Sequence, residues 1–163
     1  MKKIFCLFLT LLISAAVFAE DYAIKKFTWD KNYSDVISFF VNIEWSMRVD
    51  KQTQFVYFTP VKDNFFYQNK LLKIKEMFFS FDSAGNMTSQ NITLDNGYSL
   101  PTAYMACIST SIVDNATFYD QTYENSEGID NLYYYLHLAD CNALYAIVGK
   151  DTYYMLFLSY TKE

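Results

Sequence analysis

The sequence predicts an α+β domain, an antiparallel sheet with two helices packed on it. Three observations lead there. Hydrophobic residues fill 52% of the 163 positions, with 15 Tyr and 15 Phe among the large ones, enough to build a core. Two-residue alternation, the mark of strands, recurs between Trp45 and Tyr160. Two segments, near 36–43 and 99–112, repeat instead at helical spacing. The layout of helix, strands, helix, strands divides into two αβββ-like halves of roughly sixty residues each. The halves do not align by sequence. A mostly-β sandwich or half-barrel is the alternative, because β-branched and aromatic residues crowd the first helical segment.

The N-terminus has its own logic. Lys2 and Lys3 precede an apolar run from Ile4 to Phe18, and Val17-Phe18-Ala19 offers compact residues where a signal peptidase cuts. The run is too short for a comfortable membrane span. The expectation is a signal peptide over 1–19 and one exported domain over 20–163, periplasmic or extracellular. Cys6 opens the apolar run, whereas a lipid-modified Cys would follow it. The preference for Lys over Arg, with abundant Asn, Phe and Tyr, suits a bacterial chain from an AT-rich genome.

Residues 20–32 form a lead-in, with Phe27 and Trp29 able to tuck onto the domain. Ser34 suits an N-cap for a helix carrying Val36, Phe40 and Ile43 on one face and Ile37 and Val41 beside it. Trp45, Met47 and Val49 alternate as a strand, Asp50-Lys51-Gln52 turns, and Gln54–Thr59 returns. Residues 61–69 are expected to be loop. Leu71–Asp82 and Met87–Leu94 make a long hairpin around Ser83-Ala84-Gly85-Asn86. Ser99 then caps a second helix with Pro101 in its first turn, and Met105, Ile108 and Ile112 mark its apolar face. Asp114 to Asp130 is expected to be a polar, acidic connection. Three strands close the chain, at Leu132–Leu138, Ala143–Val148 and Thr152–Tyr160.

Charge excludes whole classes of function. From Lys75 to Lys150 there is no intervening Lys or Arg, yet the stretch holds nine acids. Phosphate neutralisation needs basic side chains, so nucleic acid is excluded as a partner. His137 is the single histidine, which leaves no His-based metal centre. Asp114, Asp120, Glu124, Glu127 and Asp130 lack the spacing that wraps a calcium ion. Glycine-rich phosphate loops, nucleophile elbows and zinc-protease motifs are missing from the sequence. A His137/Cys141 base–nucleophile pair lacks an orienting third group. The expectation is a protein without enzymatic activity, cofactor or metal; a hydrolase using Asp120, Glu124, Glu127 and Asp130 is the weaker alternative.

Binding remains. The C-terminal strands are apolar on both faces, whereas a sheet with one wet face should alternate. Helices can cover one face. The other is covered by residues 55–81 as a second layer, by a partner, or by a ligand. Tyr133, Tyr135, His137, Tyr153 and Phe157 are the candidate binding residues. The first expectation is a module docking a protein partner through this aromatic face; the alternative is a carrier of an apolar small molecule or lipid between sheet and helices. Cys107 and Cys141 form an even pair past the leader and are candidates for one disulfide.

Overall fold

The computed structural model describes residues 22–68, 72–94 and 97–162. The expected leader lies outside them. Among the described residues no helix is long and apolar enough to cross a membrane.

The fold is α+β. The order along the chain is β1 (Tyr22–Ile24), α1 (Tyr33–Asn42), β2 (Ser46–Val49), β3 (Val56–Thr59), β4 (Phe65–Tyr67), β5 (Leu72–Phe81) and β6 (Met87–Leu94). Then come α2 (Leu100–Val113), β7 (Thr117–Ser126), β8 (Ile129–His137), β9 (Cys141–Lys150) and β10 (Tyr153–Lys162). The described strands make one ten-stranded sheet in the order β1-β4-β5-β6-β10-β9-β8-β7, with β3 also pairing β5 and β2 pairing β3. All pairings are antiparallel except β1 with β4.

Each half is a helix followed by an antiparallel meander of four strands, β2-β3-β5-β6 and β7-β8-β9-β10, with β4 as an extra short strand in the first. The expected αβββ halves are therefore one strand short. In the second half the missing strand is β7, which occupies the stretch expected to be a connection. The last strands of the two meanders, β6 and β10, pair at the centre, Leu158 opposite Ile92 and Ser159 opposite Asn91.

Local chemistry explains the helices. Asn32, not Ser34, caps α1: its Oδ1 accepts from the N–H of Ser34 and of Asp35, while Asp35 accepts from the Asn32 N–H. This reciprocal box satisfies orphan donors at the helix start. Val36 and Phe40 then bury, and the Phe40 ring stacks on Phe58 of β3 at 4.2 Å. Helix α2 is capped by Ser99 with Pro101 in its first turn, as expected.

The face of α2 is not the expected one. Ala103, Ala106, Cys107, Thr110 and Ser111 point to the sheet, while Met105 and Ile112 are exposed and Ile108 is half-buried. The sheet supplies the reason. Under α2 it carries Tyr145, Leu156, Leu158 and Tyr160, all essentially buried, and bulky strands receive a helix only through small residues. The hydroxyls of Thr110 and Ser111 bond back to the carbonyls of Ala106 and Ile108, so they bury satisfied.

The C-terminal end of α2 is locked by a buried polar network. The Asp114 carboxylate accepts from the hydroxyls of Tyr145 and Tyr160 and from Gln68 Nε2. Tyr67 Oη lies 3.0 Å from Tyr160 Oη. Since Tyr160 gives its proton to Asp114, Tyr67 is the donor in that pair. Burial first, and neighbouring groups including Asp114 next, push all three hydroxyls well above the usual tyrosine range. One carboxylate thus ties α2 to β9, β10 and the end of β4.

Residues 55–81 do not close over the second face. Strands β3, β4 and β5 extend the same sheet edge to edge, so a two-layer sandwich is not what forms. Phe65–Tyr67, expected within a loop, is β4 and hydrogen-bonds both β1 and β5.

Candidate functional site

The register assigns each side chain of the C-terminal meander to a face. On β10, Tyr154, Leu156, Leu158 and Tyr160 bury toward the helices, so Tyr153, Met155 and Phe157 stand on the outer face. Opposite them on β9 are Lys150, Val148 and Ala146. On β8, Asn131, Tyr133, Tyr135 and His137 continue the same face, opposite Val148, Ala146, Leu144 and Asn142. All five candidate residues, Tyr133, Tyr135, His137, Tyr153 and Phe157, therefore share one face.

The turn expected at Lys150-Asp151 sits one residue later. Tyr153 pairs with Lys150, leaving Asp151-Thr152 as the loop, with Asp151 at φ 57°. Asp tolerates that left-handed conformation. Val148 consequently faces Met155 rather than Tyr153, and Ala146 faces Phe157 rather than Met155. A shift of two keeps every side chain on its expected face.

The outer face is built in rungs. Tyr133, Ala146 and Phe157 form one rung, so two rings flank a small residue across three strands, roughly 10 Å apart by strand spacing. Ala146 is buried at 6% exposure on the face away from the helices. Its cover comes from its own sheet neighbours. Leu144 and Val148 stand above and below it, and all four large residues Tyr133, Tyr135, Met155 and Phe157 are half-buried. Tyr153 is 51% exposed at the hairpin end. The His137 ring stacks on Tyr119 at 4.2 Å, and its Nδ1 contacts Asn142 Oδ1. Tyr119 also approaches Tyr135 at 6.2 Å.

Catalytic geometry is missing among these groups. Cys141 buries toward the helices while His137 lies on the outer face, so the sheet separates the two. Burial pushes the Cys141 thiol up to about 11 and the Cys107 thiol up to about 12, away from the reactive thiolate. The acids also diverge. Asp120 and Glu124 share the outer side of β7, but four residues along a strand separate them by roughly 13 Å, beyond a glycosidase pair. Asp130 points the other way and accepts from Tyr123 Oη at 2.7 Å, Asn125 Nδ2 at 2.8 Å and Tyr154 Oη at 2.8 Å. Those bonds, Tyr123's first, hold its carboxyl below the usual range. Among the described residues no three His, Cys, Asp or Glu side chains group to hold a metal.

The expected Cys107–Cys141 bond is absent, and both are buried free thiols. Cys107 sits near Tyr134, whose rung partner on β9 is Tyr145. Cys141 lies four residues further along β9 from that rung partner. Instead Lys26 Nζ approaches Cys141 Sγ at 3.6 Å and pairs with Asp140 at 2.9 Å, fastening the lead-in to the β8–β9 turn.

One feature of the site escapes sequence reasoning. Because α2 covers β9 and β10, the helix-side face of β7 and β8 is left as a groove. It has a volume of about 410 Å³ and is lined by Tyr104, Ile108, Phe118, Tyr119, Asp120, Gln121 and Tyr134. The available signal is the stripe Ala103, Cys107, Thr110, which turns the large residues of α2 outward.

No protein-family model matches this chain, and no curated protein matches it. Among solved structures, the chain is similar to the solution structure of cyanobacterial PsbP (CyanoP) from Synechocystis sp. PCC 6803, at 10% identity and a TM-score of 0.41. That similarity covers 74% of this chain and 82% of the other. Likeness of this extent transfers neither site residues nor function.

Proposed function

We propose that this is an exported binding module without catalytic activity, which docks a protein partner on the outer face of β8, β9 and β10. One observation carries the reading: Tyr133, Tyr135, Met155 and Phe157 stand on that face with Leu144, Ala146 and Val148 between them, and both helices lie on the other side. Contiguous apolar surface with rigid rings around a small residue is what protein interfaces use as anchors. The carrier alternative would use the open groove beside α2, over β7 and β8; over β9 and β10 the helix seats its small residues directly on the sheet.

Two measurements test the reading. Tyr135→Ser combined with Tyr153→Ser is expected to abolish partner binding while Tm falls by less than about 6 °C, since both rings are partly wet. A larger loss of stability would make them core and remove the site. A lipid found with the native protein by mass spectrometry would favour the carrier. Export is tested separately: the secreted protein is expected to begin at Glu20, and an intact mass retaining residues 1–19 would remove the assignment.

A further inference from the structure

The sheet has unequal edges. At the N-terminal end β1, β2 and β4 are three or four residues long. At the other end β7 runs for ten residues, every side chain exposed, with no strand on its second side among the described residues. Unpaired N–H and C=O groups along such an edge template further pairing, and proteins ordinarily blunt them with Lys, Pro or a bulge. Thr117–Ser126 contains no Lys, Arg or Pro. A bulge between Phe118 and Asp120 interrupts it near one end and leaves Asp120–Ser126 regular.

The two sides of this edge differ in chemistry. On the helix side, Phe118 and Gln121 open onto the 410 Å³ groove walled by Tyr104 and Ile108 of α2 and floored by Tyr134. On the outer side stand Asp120 and Glu124 with Thr122 between them. No Lys or Arg between 76 and 149 neutralises these carboxylates from the same stretch of chain. A strand laid along β7 would meet this alternation residue by residue. Its side chains toward the helices would enter a groove of rings and Ile108 edged by polar groups, and those on the other side would meet carboxylates. A second copy of β7 fits poorly, because like charges opposed across a strand pair repel.

We propose that β7 is a strand-addition site for an extended partner segment that alternates apolar and basic side chains. The segment pairs its main chain with Asp120–Ser126 and seats an apolar side chain among Tyr104, Ile108, Phe118 and Tyr134. It turns Lys or Arg toward Asp120 and Glu124. Main-chain pairing supplies affinity and the alternating side chains supply specificity. This site goes beyond the aromatic outer face and uses none of the residues that define it.

The probe is a short capped peptide alternating Lys with Val and Leu, added to the purified protein. Binding is expected, with new hydrogen-exchange protection at the free-edge amides of Asp120–Ser126. A Glu-for-Lys version of the peptide should not bind. Asp120→Lys with Glu124→Lys should weaken the Lys peptide by at least about tenfold and favour the Glu version. N-methylation of the alternate amides along one peptide edge should abolish binding, and along the other edge should spare it. No binding of the Lys peptide, binding indifferent to which edge is methylated, or protection elsewhere than β7 would each overturn the proposal. The Tyr135→Ser, Tyr153→Ser protein should still bind the peptide, so loss of the aromatic site and loss of this one are distinguishable.

Discussion

Alanine in place of Asp114 is expected to destabilise the fold by roughly 3–5 kcal/mol. A carboxylate at a helix C-terminus is itself unfavourable, because the dipole there is negative. Asp114 is retained against that field by the three donors it receives, from Tyr145, Tyr160 and Gln68. Removing it leaves the Tyr145 and Tyr160 hydroxyls, 3.2 Å apart, without their shared charged acceptor in a site where both residues are fully buried. The directional chain Tyr67 to Tyr160 to Asp114 also loses its final acceptor. Tyr67→Phe should cost only about 1 kcal/mol, since Tyr160 keeps its bond to Asp114. Urea denaturation of the two variants checks the order. Equal losses would mean that the carboxylate is not the hub of the network.

Gly149→Ala is the second large effect, about 2–3 kcal/mol from overpacking alone. Asp130, Gly149 and Tyr154 share one rung on the helix side, and the Tyr154 hydroxyl donates to Asp130 across the glycine. A Cβ at 149 would lie 2.3 Å from the Tyr153 carbonyl oxygen, 2.6 Å from Tyr154 Cα and 2.6 Å from its Cδ1. Two of these atoms are backbone, so the β9–β10 hairpin must itself shift. The Tyr154–Asp130 hydrogen bond should be lost with it. The Tyr154 side-chain resonances report the displacement, and Tm should fall by roughly 4–12 °C. An unchanged Tm would show that the hairpin yields without strain.

Legibility in the sequence followed the strength of burial. The β9–β10 and β5–β6 hairpins carry period-two patterns with one face in the core, and their faces were readable even where the turn was displaced by one residue. Tyr133, Tyr135, His137, Tyr153 and Phe157 were placed together by that alternation alone. Strand β7 carried no such signal, because both of its faces are wet and its polar residues are those of a loop. Phe65–Tyr67 is too short for any period to show. Helix α2 misled for a different reason. Its large apolar side chains follow helical spacing, but the sheet below already supplies the bulk, so the small face packs and the large face looks out. A stripe's hydrophobicity does not by itself say which side is inside; the volume of the partner layer decides.

The central position of β10 bears on how the molecule is assembled. Through residue 94 a growing chain holds a helix and a sheet fragment whose last strand, β6, has one side unclaimed. Its partner is 64 positions away at the nearest paired residues, Thr93 and Phe157, and 72 away at Ser89 and Thr161. No earlier strand can substitute, since β7 and β8 stack outward from β9 and never reach β6. The two meanders therefore stay separate until the final described strand arrives and closes both at once. The ten residues of β10 are thus the point at which a truncation would leave two unpaired inner strands, β6 and β9, rather than a slightly shorter edge.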